Sequence, residues 1–310
     1  MTKMRTRMMN KMTSAEVETY LERNDILFIP IGTVETHGTF PLDCELIFPT
    51  AFGLKMAEIV DGLVLGDLPY FFCGATTCSR ATVQMSVAKG VEYLKEISHS
   101  LLNQGFRRQV YLSAHGPAFL TAGTVVIDFF DETKCPISYI DLADAITVAG
   151  QQDPNFDLLK NFNRMMFGAY EICNCKDELV IDPGIDFGPD ANPFGDLPEP
   201  TELDKLRGFS ESRKVDFFHY LRRLAHGSGS VGFYFSEPND HGRTYGALPS
   251  VEVRDKICAE GAVIVERIVE LLHMEEYVKE MRDLDKWTNT EIKAKYGRHL
   301  PKNKFGSWGG

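Results

Sequence analysis

Apolar residues along the chain arrive in two rhythms. Short, nearly continuous apolar runs at 26–31, Leu63 to Leu68, Val83 to Val87, Gln109 to Leu112 and Ile137 to Asp141 read as strands. Between them lie longer stretches with apolar positions three or four apart, the period of a helix with one buried face. Thr13-Ser14-Ala15-Glu16 is a capping box, predicting a helix to about Arg23. Leu46 to Val60 follows the first strand, with Pro49 expected in its first turn. Val91 to Gln104 is closed by Gly105, and a helix from Pro117 to Phe130 has proline at its first position. This alternation predicts an α/β protein, a three-layer α/β/α fold with a mostly parallel sheet and function at the carboxyl ends of the strands.

The second half is less regular. Asp153 to Cys175 reads as helical and then irregular, and Ile181 to Pro200 is a Pro/Gly/Asp loop long enough to act as a lid or an oligomer arm. Thr201 to Ala225 reads as a charged helix broken near Gly208, Ser230 to Ser236 as a late strand, and Val251 to Leu272 as an amphipathic helix. The expected organisation is a flexible leader over 1–13, a single domain over 14–275 with an insertion at 181–228, and a charged, less ordered tail over 276–310 with Trp287 and Trp308 as anchors.

Composition narrows the function. The 310 residues are 44% hydrophobic, enough for a sizeable core, and the net charge of -11 argues against a nucleic-acid binder, which needs a basic face. The basic N-terminal run lacks the apolar core and cleavage site of a signal peptide, and no window reaches the length of a membrane span, so a soluble, cytoplasmic protein is expected. Seven cysteines, an odd number in a long chain, read as reduced thiols. Cys173-x-Cys175 has no second pair at zinc-finger spacing.

The chemistry gathers first at ILFIPIGTVETHGTFPLDCE, where Glu35, His37 and Glu45 follow a buried strand. Glu35 and His37, two apart at a strand end, point the same way and can reach one ion. An isolated E-x-H also arises as ordinary loop polarity before a helix. His115 falls at a second strand end, in LSAHG.

Taken together, these stretches resemble the creatininase (creatinine amidohydrolase) family. Its signature P-x-G-S-x-E-Q-H-G-P-H-L-P-L-x-T-D corresponds to IPIGTVETHGTFPLDCE here. LSAHG stands where the family has N-G-H-G-G-N, GAYEICNC where it has H-A-G-E-x-E-T-S, and TYGALPSVEVRDKICAEG where it has V-Y-G-D-P-S-x-A-T-A-x-x-G. The resemblance covers about residues 14 to 272. It implies two divalent ions, zinc or manganese, with a water between them that attacks a carbon–nitrogen bond of a small cyclic amide or N-acyl compound. Glu35, Glu45 and His115 would hold one ion; His37, a bridging Glu45 and Glu171 would hold the other. It further implies a homo-oligomer, a hexamer in the family.

The departures are as informative. Glu45 replaces the family's bridging Asp across a shortened loop, Gly168 stands where the family has its proton-shuttling His, and Cys173 replaces the motif's second Glu. Another acid is then required. His241 and Tyr170 are the candidates beside Glu171, a solvent-exposed loop histidine and a packed aromatic being their plainer roles. Ser113, Asp240, Arg243 and Tyr245 are the candidate substrate-binding residues. Three functions remain open: a metal-dependent hydrolase, a metal-dependent lyase, isomerase or dehydratase, and a catalytically silent binding subunit.

Overall fold

The computed structural model describes residues 4–153, 156–185, 232, 234 and 246–299. Four strands form one all-parallel sheet in the order β2-β1-β3-β4: β1 (Ile26–Pro30), β2 (Leu63–Val64), β3 (Arg108–Ser113) and β4 (Ser138–Asp141). The register sets Ile26 opposite Arg108 and Pro30 opposite Leu112, so the carboxyl ends of the two central strands lie side by side. His115 and the loop carrying Glu35 and His37 leave the sheet at that edge.

Alternation along the strands assigns the layers. Ile26, Phe28, Val110 and Leu112 face one core, with α2 (Cys44–Val60), α5 (Leu142–Gly150), α6 (Leu158–Ile172), α7 (Val251–Leu271) and α8 (Met274–Trp287). Leu27, Ile29 and Tyr111 face the other, with α1 (Ser14–Leu21), α3 (Val87–Asn103) and α4 (Phe119–Thr133). Because β1 and β3 are buried on both faces, their apolar residues are consecutive rather than alternating, ILFIP in β1 and VYL in the middle of β3. The result is the expected three-layer α/β/α fold.

Several elements differ from expectation. The Thr13 box forms as read, its hydroxyl accepting from the Glu16 amide while the Glu16 side chain accepts from the Thr13 amide. The second strand stops at Val64, because Gly66 and the positive φ of Asp67 turn the chain. No strand forms at 83–87: Val83 makes a single antiparallel bridge to Val34, and Ser86 caps α3 from Val87. α5 begins directly after β4, with Asp141 as its cap accepting from Ala143 and Asp144 amides. The charged segment after 273 is a helix whose Met274, Val278 and Met281 recur on one buried face. In the leader, Met8 pairs in parallel with Val64, the Val64 amide donating to the Arg7 carbonyl at 2.9 Å, and Arg7 reaches Asp61 at 3.3 Å. The expected loop beyond 185, the charged helix, most of the late strand and Trp308 lie outside the described residues.

α2 starts at Cys44, two residues earlier than expected, so Pro49 sits in its second turn and Glu45 is in the helix. Proline has no N–H to give the Glu45 carbonyl. Gly32 fills the space beside that carbonyl; a Cβ there would lie 2.6 Å from the Glu45 oxygen. The end of β1 and the start of α2 are thereby pressed together, which draws Glu45 up to Glu35 and His37.

Candidate metal centre

Glu35 is fully buried, and His37, Glu45 and His115 are nearly so. Glu45 lies between the two imidazoles: its Oε1 is 3.0 Å from His37 Nε2, and its Oε2 is 2.6 Å from His115 Nδ1. Glu35 Oε1 lies 3.1 Å from the same His115 Nδ1 and 4.0 Å from His37 Nε2. One ligand atom from each of Glu35, His37 and Glu45 falls within 4.8 Å of the others, close enough for a single ion.

The orientation of His115 decides what this cluster is suited to. Its Nε2 lies 2.8 Å from the Phe72 carbonyl, which can only accept, so Nε2 carries a proton. In the neutral ring Nδ1 is then a lone pair, and it faces two carboxylates. Such an arrangement is repulsive unless a cation sits among the three groups, either a proton on Nδ1 or a metal ion. One proton on Nδ1 would lie between two carboxylates, 2.6 Å from Glu45 Oε2 and 3.1 Å from Glu35 Oε1, and cannot fully serve both. A ligating histidine whose other nitrogen donates to a backbone carbonyl is the usual outer support of a metal site. Mixed imidazole and carboxylate donors suit borderline divalent ions.

Electrostatics agree with this arrangement. Burial disfavours the charged His115 ring, but the Glu45 and Glu35 carboxylates outweigh it and hold the ring up at about 10. Burial likewise disfavours a charged His37, and the neighbouring Cys44 and Glu45 outweigh it, raising that ring well above its usual value. Burial opposes ionisation of Glu45, yet His115 and His37 hold its carboxyl well below the usual range. Burial and the adjacent Glu45 charge push Glu35 the other way. Without a metal, protons hold the place of the cation.

Other supports come from positions not singled out in the sequence. Thr33 Oγ1 donates to Glu45 Oε2 at 2.6 Å, and Thr76 Oγ1 donates to Glu35 Oε2. Phe72 contributes only its carbonyl. A threonine in a Gly/Thr/Cys-rich turn carries no pattern marking it as a partner of a residue 41 positions away.

The other candidates lie elsewhere. Glu171 pairs with Lys176 Nζ at 2.7 Å, and it is not among the contacts that join the four clustered residues. Tyr170 is fully buried, stacked 6.2 Å from Phe40, with no hydrogen-bond partner for its hydroxyl among the described residues. Ser113 is buried at the end of β3, its Oγ accepting from the His115 amide at 3.2 Å, so it shapes the turn that presents the imidazole. Asp240, His241, Arg243 and Tyr245 lie outside the described residues.

Gly168 has a structural explanation. A Cβ there would overlap the backbone of Gly261 and Ala262, falling 2.5 Å from the Gly261 oxygen, because α6 and α7 cross in close contact at these two glycines. The position expected to carry a proton-shuttling histidine is occupied by a helix crossing.

Fold and site define a parallel α/β protein with a buried carboxylate–imidazole centre fit for a divalent cation. Residues 10–154 match the family model described as Creatininase, creatinine amidohydrolase. The 3-dehydro-scyllo-inosose hydrolase of Thermotoga maritima is 26% identical over 115 residues, 35% of this chain and 36% of that protein, so the chain matches about a third of that relative's length. Among solved structures, a protein of Bacteroides fragilis provisionally assigned as a creatinine amidohydrolase aligns at 15% identity and a TM-score of 0.54, over 92% of this chain and 98% of that one. A mutant creatininase of Zn-Zn type aligns at 17% identity and 0.52, over 90% and 99%. These structural likenesses carry the fold. Over residues 10–154, just under half of the chain, the sequence is thus similar to the creatininase family.

Proposed function

We propose that the protein is a metal-dependent hydrolase of a small molecule, with Glu35, His37, Glu45 and His115 holding the ion. The observation that carries this reading is His115 Nδ1, held by the Nε2–H donated to Phe72 so that it faces the carboxylates of Glu35 and Glu45, a place for a cation. A divalent ion bound there supplies a Lewis acid and brings the pKa of water near 7. The chain's own part is to fix that geometry: Glu45 spans both imidazoles, and Glu35 presents Oε1 while Thr76 holds Oε2. Four donors suit one ion of zinc or manganese; a second would need Glu171 to leave Lys176. A homo-oligomer belongs to the same reading.

The bond favoured is a carbon–nitrogen bond of a small cyclic amide or N-acyl compound, the chemistry of the family's name. A second reading is hydrolytic cleavage of the carbon–carbon bond beside the carbonyl of a small cyclic ketone, water supplying the oxygen of the new carboxylate and the leaving carbon taking up a proton. Two observations favour it: the Thermotoga maritima relative is a hydrolase named for 3-dehydro-scyllo-inosose, and at position 168, where the resemblance sets a proton-shuttling histidine, there is no room for a side chain. Incubating metal-loaded protein with panels of both compound classes in oxygen-18 water separates them. Solvent label in a new carboxylate together with a newly freed amino group supports the first, and label in a new carboxylate without one the second. Turnover without label would exclude hydrolysis altogether.

A further inference from the structure

The segment from Phe72 to Gln84 touches two of the four clustered residues from behind. The Phe72 carbonyl accepts from His115 Nε2 at 2.8 Å, and four residues later the Thr76 hydroxyl reaches Glu35 Oε2. The segment is fastened at its base. Gln84 Oε1 accepts from the Cys73 amide at 3.2 Å and from Thr77 Oγ1 at 2.9 Å, the Val83 amide donates to the Val34 carbonyl at 3.0 Å, and the Met85 amide donates to the Phe71 carbonyl at 3.3 Å. Thr76 itself is buried at 2% exposure, so water cannot substitute for its hydroxyl.

We propose that Thr76 is a positioning residue of the metal centre, acting through Glu35. A hydroxyl has a single proton, and Thr76 Oγ1 has two acceptors in reach, Glu35 Oε2 and the Cys73 carbonyl at 3.2 Å. The carboxylate takes it, because a hydrogen bond to an ionised acceptor is the stronger. Oε2 is thereby occupied, and Glu35 turns Oε1 toward His115 and His37. Thr33 does the equivalent for Glu45, donating to Oε2 at 2.6 Å. Each acidic ligand is thus held by a neutral hydroxyl, which orients the carboxylate without removing its charge. A lysine or arginine in either place would compete with the metal for that charge.

The inference rests on the metal reading above, and the experiment keeps the two apart. Zinc and manganese are titrated calorimetrically into chelator-stripped wild type, Thr76→Val, Thr76→Ser and Gln84→Met. Thr76→Val keeps the volume and deletes the donor, so affinity is expected to fall by about ten- to a hundredfold, the usual effect of losing an outer-shell partner. Thr76→Ser retains the hydroxyl and is expected to restore most of that loss. Gln84→Met loosens the turn without touching any ligand and is expected to weaken binding by a smaller factor, which keeps the proposal testable if Thr76→Val folds poorly. Wild-type affinity in Thr76→Val, or equal losses in the valine and serine variants, would overturn the proposal. Failure of the wild type itself to bind either ion is a separate outcome that removes the metal reading and this inference with it.

Discussion

The crossing of α6 and α7 at Gly168 and Gly261 makes a quantitative prediction about the missing histidine. Consider Gly168→Ala. In an exposed helix this change is favourable by about 1 kcal/mol, because alanine is the better helix former. Here the added Cβ would stand 2.5 Å from the Gly261 oxygen, with other backbone atoms of Gly261 and Ala262 closer still. Carbon–oxygen contacts settle near 3.3–3.6 Å, so the helices must separate by roughly 1 Å along an interface that also buries Met165, Phe167 and Cys258. Overpacking of a well-filled core costs about 1–3 kcal/mol, and a clash with backbone rather than a pliable side chain belongs at the upper end. The steric term exceeds the propensity gain, so a net loss of about 1–2 kcal/mol is expected. Gly168→His should do worse and should not create a proton shuttle. The assay is urea denaturation followed by circular dichroism, reading the midpoint at constant slope. A Gly168→Ala protein as stable as the wild type would refute the reasoning, and the crossing would then not explain the glycine.

Two further predictions concern the cluster. The raised pKa of His115 gives the metal-free protein stability that is fully present below the unfolded imidazole value near 6.5 and is lost as pH rises through about 10, and the raised pKa of His37 acts in the same direction. Metal requires deprotonated rings, so stabilisation by added zinc should grow over the same interval; melting curves from pH 6 to pH 9 with chelator and with zinc should therefore diverge, and parallel curves would contradict the assignment. Gly32→Ala places a Cβ 2.6 Å from the Glu45 oxygen and should both destabilise the fold by about 1–3 kcal/mol and weaken metal binding, since it moves the start of α2 away from β1. A stability loss with unchanged affinity would show that this contact does not set the position of Glu45.

Much of the architecture was legible because burial on both faces imprints itself on composition. The runs at β1 and β3 could hardly be anything else, and the Thr13 box is a local signal that local chemistry obeyed. Glu35, His37 and His115 are legible as a group because each follows a strand end and a parallel sheet delivers such ends to one edge, whereas Glu45, inside α2, joins them only through the family resemblance. What escaped has identifiable causes. The helix after 273 was hidden by its charge, although Met274, Val278 and Met281 carry the period. The leader carries no sign of order in its sequence because the pairing of Met8 with Val64 is a backbone event that no side-chain pattern announces. The same holds for the Phe72 carbonyl, which fixes the His115 tautomer and has no sequence code at all. Gly168 could be noticed as a departure, but only the position of Gly261 explains it.

Glu45 is where the account is most exposed, since it reaches both imidazoles at 3.0 Å or closer. The most direct measurement is the metal content of protein purified without chelator and supplemented with zinc or manganese, for the wild type and for Glu45→Gln, with folding of both checked by circular dichroism. The account predicts stoichiometric divalent metal in the wild type and a large loss in the variant. Trace metal in the wild type, or equal metal in the two folded proteins, would contradict it.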